Sequence, residues 1–202
     1  MSKIQIFCMA KQDRSDRVRW LLEELNLSYE DHFLNRSAGE LDTHAYRKIN
    51  PMGRVPTLID NETIVYESGA VCLYLADKYN AISLAPAIDS SERAAYLQWM
   101  VFSVASLECV VAKMFTFNGK TELQIEEIKS HVQEQCAILK LSLNSVLAKQ
   151  DYLLSSGFSA ADIMMAAVIP GAAEYLMEDE SAIKKYMDRL MKRPAAIRAG
   201  VF

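Results

Sequence analysis

"INPMGRVPTLID", residues 49–60, carries two prolines, Pro51 and Pro56, on either side of Gly53, Arg54 and Val55. The residue before a proline is disfavoured in a helix, so any helix reaching Ile49 ends before Pro51. The run Val55–Ile59 reads as an apolar strand, yet its Pro56 has no N–H to give to a sheet ladder. Proline is therefore kept at a strand's first position, its edge or a bulge. Two forms fit: a trans proline at a strand edge, or a cis Val55–Pro56 bond opening the strand. In the cis form the N–H and C=O of Val55 turn away from the sheet, where an extended, peptide-like ligand can pair with them.

Working outward, Thr63–Tyr66 is a second short apolar run, separated from the first by Asp60-Asn61-Glu62, and the pair reads as a hairpin. Upstream, Ile4–Phe7 reads as a strand, Asp16–Leu25 as a helix closed by Asn26, Tyr29–Leu34 as a strand and Asp42–Ile49 as a weak helix. Downstream, Ser68–Tyr79 places Val71, Cys72, Leu75 and Tyr79 at helical spacing. Residues 1–79 thus form a small α/β domain with a mixed sheet. Residues 80–90, with Pro86, break the periodicity as a linker. Residues 91–202 read as all helix: long segments either side of Asn118-Gly119, then a helix opened by the Ser159/Asp162 capping box with Phe158 and Ile163 able to staple it, then a kink or stop at Pro170-Gly171, Ser181–Lys192 and a short tail.

The stretch "YESGA", residues 66–70, sets Glu67 and Ser68 at the start of a helix directly after the hairpin. A helix N-terminus offers free N–H groups and a positive dipole end, which suit a carboxylate. Ser68 adds a hydroxyl, and Glu67 can hold an ammonium group, so the pair can grip an α-amino-acid head. Equally, either residue can simply cap the helix.

The chain has 202 residues, 51% of them apolar and 24% charged, with a net charge of -4, which describes an ordinary soluble protein with little affinity for nucleic acid. Arg14, Arg17 and Arg19 alternate with Asp13, Asp16, Glu23 and Glu24, which reads as a solvated, ion-paired helix face. No stretch approaches the roughly 20 apolar residues of a membrane span. The four cysteines, Cys8, Cys72, Cys109 and Cys136, are far apart and lack ligand-spaced histidines, so neither a disulfide framework nor a metal site is expected. A cytoplasmic location follows as the expectation.

The strand, the "RVRWLLEEL" helix, "NPMGRVPTL", the "YESGA" helix, the linker, the helical domain and the "SAAD" box together resemble a cytosolic glutathione S-transferase over nearly the whole chain. The resemblance implies a thioredoxin-like N-terminal domain with a mixed four-stranded sheet, followed by an all-α helical bundle. It implies a glutathione transferase that binds reduced glutathione as co-substrate, stabilises its thiolate and conjugates it to hydrophobic electrophiles. It also implies a homodimer with a detoxifying role and no metal. Carried over, Val55 pairs through its backbone with the cysteinyl part of glutathione, held by cis-Pro56. Glu67 and Ser68 hold the γ-glutamyl head, and Arg54 meets the carboxyl-terminal end. A further contact there falls on Leu41, which cannot bind a carboxylate.

A free thiol has a pKa near 8.5, so the site must favour the anion. In the family the activating group lies at the end of the first strand, here Cys8, or in the loop opening the first helix, here Gln12 to Ser15. Ser15 is the only hydroxyl in that loop and the candidate catalytic residue, although a serine there can instead cap the helix. Arg14 is a second candidate for stabilising the thiolate. Cys8 reads rather as a small buried hydrophobe. Trp99, Phe102, Ser103, Ser106 and Leu107 are candidates to line the electrophile pocket, or else are bundle core. The alternative to an enzyme is a non-catalytic, transferase-like interaction module of the transcription- or translation-associated kind.

Overall fold

The computed structural model describes residues 3–9, 13–79 and 84–202. The chain divides into two compact units, Met1–Ala81 together with Arg193–Phe202, and Ile82–Lys192. In the first, β1 (Ile4–Cys8), α1 (Ser15–Glu24), β2 (Tyr29–Phe33), α2 (His44–Ile49), β3 (Thr57–Asp60), β4 (Thr63–Tyr66) and α3 (Ser68–Lys78) follow in order. The four-stranded sheet runs β2-β1-β3-β4, with β1 parallel to β2 and antiparallel to β3, and β4 antiparallel to β3. This is a thioredoxin-like arrangement. The period-two alternation of Ile4, Ile6 and Cys8 buries one face of β1, while Val18, Leu21 and Leu22 of α1 and Val71, Cys72 and Leu75 of α3 supply the helical stripes. Asn26, at φ 52, takes the left-handed conformation that closes α1.

The arginine-rich face of α1 departs from the sequence expectation. Arg17, Arg19 and Asp16 are buried, not solvated. Arg19 pairs with Asp16 one turn earlier and reaches Asp31 of β2 with Nε at 2.9 Å. Interleaved charge had suggested a surface face, but here each guanidinium finds a partner on another element, which is what lets a charge be buried.

The C-terminal residues group with the first unit, where α10 (Pro194–Ala199) packs on α1. Arg193 donates to both carboxylate oxygens of Glu24 (2.7 and 2.9 Å), Arg198 donates to Glu23 (2.7 Å), and Phe202 meets Trp20 edge-on at 5.5 Å. Such pairs between residues far apart in sequence leave no local signal.

The second unit is helical. The run Arg93–Phe115 comprises α4 (Arg93–Val101), a π segment (Phe102–Leu107), α5 (Glu108–Val111) and a 3-10 turn (Ala112–Phe115). It is long and apolar enough, by length and composition alone, to cross a membrane. Its contacts with α6 (Glu122–Leu147) and α7 (Ala160–Ala166), and its buried Tyr96, Trp99, Met100, Leu107 and Val111, make it a core helix of this unit. Thr121 and Gln124 form a capping box at the start of α6. Pro170-Gly171 lies in a 3-10 turn beyond α7, followed by α8 (Ala173–Leu176) and α9 (Ala182–Met191). A Cβ on Gly171 would come within 2.5 Å of Val111, so only glycine allows this approach.

The Ser159/Asp162 box forms as expected and does more than cap. The buried Asp162 carboxylate accepts from the backbone N–H of Leu153 (2.9 Å) and Ser159 (2.8 Å) and from the hydroxyls of Tyr186 (2.9 Å) and Ser159 (3.2 Å). Burial pushes this carboxyl up to about 6, against the pull of those donors. Phe158 meets Tyr152 edge-on at 5.7 Å.

Candidate functional site

Asn61, at φ 56, and Glu62 make a two-residue turn, so Asp60 pairs with Thr63 and the register runs back to Thr57 opposite Tyr66. Val55-Pro56, which lead into β3, therefore emerge at the same sheet end as Glu67-Ser68, which follow β4. The Val55–Pro56 bond is cis. Because β3 begins at Thr57, Pro56 precedes the strand instead of opening it, and the ladder never needs its missing N–H.

The backbone before Val55 is held from beneath. The Tyr46 hydroxyl donates to the Arg54 carbonyl at 2.5 Å, and Asn50 Nδ2 donates to the same oxygen at 2.9 Å. The Thr57 hydroxyl lies 2.9 Å from both the Tyr46 hydroxyl and Asn50 Nδ2. Tyr46, Asn50 and Thr57 are all buried, so water does not compete for these groups. Arg47 donates to the Pro51 carbonyl at 2.7 Å and pairs with Asp42. Tyr46 and Asn50 did not stand out in the sequence; an asparagine before Pro-x-Gly is a turn signal, but its long-range target is not legible. Val55 is half-buried and Arg54 exposed. Leu41 is buried in a 3-10 turn and serves the core.

Glu67 is the N-cap of α3 at φ 72, ψ 116, a region sparsely populated by residues with a Cβ. Such conformations cost about 1–3 kcal/mol and persist where surrounding structure imposes them, often at ligand sites. Its side chain is exposed, whereas Ser68, the first helical residue, is buried. Ser68 Oγ accepts a hydrogen bond of 3.1 Å from Arg17 Nη1. The first-turn N–H groups of a helix have no intrahelical acceptor, so the start of α3 combines N–H donors, a hydroxyl and a nearby guanidinium. That is chemistry for an anion, with the Glu67 carboxylate beside it for a cation.

At the start of α1, the N-cap is Arg14, exposed and without a side-chain cap bond. Asp13 instead organises this corner: its carboxylate accepts from the N–H of Ser15 (2.7 Å) and of Met9 (3.0 Å). Ser15 is fully buried, and its hydroxyl has no hydrogen-bond partner among the described residues. The hydroxyl therefore does not cap the helix. A role in thiol activation requires its cover to open to the ligand, and the Asp13 carboxylate nearby works against a thiolate. Gln12, at the start of the same stretch, lies outside the described residues. The Cys8 thiol is pushed up to about 12 by burial, only partly offset by Arg19, and it contacts Asp31 Oδ1 at 3.8 Å. It is an inert core thiol.

Of the expected pocket-lining residues, Trp99, Ser103 and Leu107 share one buried helix face, and the Ser103 hydroxyl donates to the Met100 carbonyl at 2.8 Å. Phe102 and Ser106 are half-buried on the flank. No cluster of three or more His, Cys, Asp or Glu side chains able to hold a metal occurs among the described residues.

Comparison with known proteins identifies the family. The family model "Glutathione S-transferase, N-terminal domain" matches residues 2–77. Glutathione S-transferase 1 of Schizosaccharomyces pombe is 32% identical over 170 residues, covering 81% of this chain and 73% of that protein. Glutathione S-transferase 3 of the same yeast is 30% identical over 199 residues, covering 92% and 82%. The crystal structure of the glutathione transferase URE2P6 from Phanerochaete chrysosporium, in complex with oxidised glutathione, superposes with a TM-score of 0.86 at 30% identity, covering 98% of this chain and 94% of that one. With relatives of this identity and coverage, the chain belongs to the glutathione S-transferase family.

Proposed function

We propose that this protein binds reduced glutathione at the end of the β3–β4 hairpin and transfers its sulfur to electrophilic small molecules. The observation that carries the reading is the adjacency of cis Val55–Pro56 and Glu67-Ser68, one pair presenting backbone and the other an amino-acid clamp. The Val55 N–H and C=O pair with the cysteinyl peptide, the start of α3 and Ser68 take the γ-glutamyl carboxylate, and Glu67 takes the ammonium group. Arg54, exposed one residue before Val55, faces the carboxyl-terminal end. The bound thiol is ionised with help from Ser15, or from Arg14. The thiolate then attacks an electrophilic carbon, the leaving group departs with the bonding electrons, and the thiol proton goes to solvent. Juxtaposing the two substrates supplies much of the acceleration. A cytoplasmic homodimer acting in detoxification extends the same reading, and its support is family likeness.

The test is calorimetric titration with reduced glutathione in two buffers of different ionisation enthalpy, followed by turnover with an activated aryl halide. Binding with proton release near neutral pH, reduced in Ser15→Ala, is the expected result. Proton release unchanged in Ser15→Ala transfers the activating role to Arg14 or a backbone N–H. Binding without proton release or turnover favours the non-catalytic module, for which the buried Ser15 hydroxyl and the Asp13 carboxylate are the specific observations. No binding at millimolar ligand overturns the reading.

A further inference from the structure

Asn118-Gly119, between the 3-10 turn that ends at Phe115 and the start of α6, is the only asparagine–glycine pair in the chain. Asparagine is a thermolabile residue, because its side-chain carbonyl lies one five-membered ring away from the backbone nitrogen of the next residue. Ring closure is held back by a side chain on that next residue, by a hydrogen bond on its N–H and by a rigid backbone. None of the three protects Asn118. Gly119 has no side chain, and the space where a Cβ would stand is open to 4 Å. The Lys120 N–H donates to the Phe117 carbonyl at 3.1 Å, with Asn118 at negative φ and Gly119 at φ 74, the pattern of a type II turn. That turn uses the N–H of Lys120 and leaves the N–H of Gly119 without an acceptor among the described residues. Asn118, Gly119 and Lys120 are all exposed, so water reaches the whole turn. Asn144 is the contrast: it is half-buried inside α6, where the N–H of Ser145 belongs to the helix ladder.

We propose that Asn118 is a site of spontaneous deamidation through a cyclic imide. The Gly119 nitrogen attacks Cγ of Asn118, the Cγ–Nδ2 bond breaks, and ammonia leaves with the proton that the Gly119 nitrogen gives up. Water then opens the imide. Addition at Cγ gives aspartate; addition at the main-chain carbonyl gives isoaspartate, in which the backbone runs through the side chain. Water is the only co-reactant. Either product adds one negative charge to a chain of net charge -4. Isoaspartate also lengthens the connection by one carbon just before the Thr121/Gln124 capping box of α6. The proposal is independent of the glutathione-binding reading.

The experiment incubates the folded full-length protein at mildly alkaline pH beside an end-blocked synthetic peptide of residues 114–121 in the same buffer. Samples are digested at acid pH, and the fragments carrying Asn118 and Asn144 are separated and weighed by mass spectrometry. The Asn118 fragment should show the mass gain of an amide-to-acid change at a rate within tenfold of the free peptide, with more isoaspartyl than aspartyl product. The Asn144 fragment should convert at least tenfold more slowly. In Asn118→Gln the ring required has six members and closes slowly, so the acidic form that wild type accumulates on anion exchange should not appear. A rate in the folded protein more than tenfold below that of the peptide, or no faster than at Asn144, overturns the proposal by showing that the fold shields the turn. Aspartyl product without isoaspartyl also overturns it, since that is direct hydrolysis. So does an acidic form that persists in Asn118→Gln.

Discussion

The Arg54 carbonyl is doubly held, and this makes a specific prediction about non-additivity. Tyr46→Phe removes one donor and leaves Asn50 on the oxygen at 2.9 Å; Asn50→Ala removes the other and leaves Tyr46 at 2.5 Å. At the Arg54 carbonyl, either single change therefore costs only an ordinary net hydrogen bond, about 1 kcal/mol. The double change leaves the oxygen facing a buried cluster with only the Thr57 hydroxyl at 3.4 Å, the far limit of a useful bond. An unsatisfied buried acceptor costs about 1–3 kcal/mol beyond the lost bonds, so the double variant should lose about 3–5 kcal/mol. The interaction energy is then about 1–3 kcal/mol and destabilising. For a chain of this size 1 kcal/mol corresponds to roughly 2–4 °C in Tm, so thermal denaturation followed by circular dichroism resolves the effect. Because Val55 is the next residue, glutathione affinity, measured on the same four proteins by calorimetry, should fall most in the double variant. Additivity within about 0.5 kcal/mol would refute the reasoning, since it would mean that water or backbone movement satisfies the carbonyl.

Three further outcomes follow. At Asp60, burial raises the carboxyl, but donation from Lys78, Tyr79 and Tyr74 outweighs it and holds the group below its ordinary value of 3.8. Its stabilising effect is present above that value and lost as pH falls through the lower folded value. The Tm difference between wild type and Asp60→Asn should thus shrink below about pH 4, and a constant difference from pH 7 to 3 would contradict this. Asp162→Ala strands the backbone N–H groups of Leu153 and Ser159 in buried surroundings, whereas Asp162→Asn keeps an acceptor and the volume, so the alanine variant should melt lower. Finally, Cys109 is exposed while Cys8, Cys72 and Cys136 are buried, so a maleimide at pH 7 should label one thiol per chain quickly and all four only in denaturant.

What the sequence discloses is mostly what depends on neighbours. The hairpin could be read because two short apolar runs and an Asp-Asn turn are contiguous, and its register then brings Val55 and Glu67 to one end. The Ser159/Asp162 box could be read because its bonds close within four residues. By contrast, Arg17 and Arg19 looked like surface charges, since nothing local records that Ser68 and Asp31 wait on other elements. Ser15 stood out as the only hydroxyl of its loop, but its burial comes from packing. The π segment at Phe102–Leu107 leaves no pattern distinguishable from an ordinary helical stripe.

The placement of α10 on α1 gives the chain a loop-like topology: the first unit is left at residue 81 and re-entered at residue 193. Glu24 and Glu23 emerge from the ribosome 169 and 175 residues before the arginines that pair with them. The α/β unit thus has to assemble its sheet with that flank of α1 unclosed, and completes it only after the whole helical unit has been synthesised. A chain cut after residue 81 would keep every strand and still expose the Trp20 side of α1, so the sheet alone does not make this unit self-sufficient.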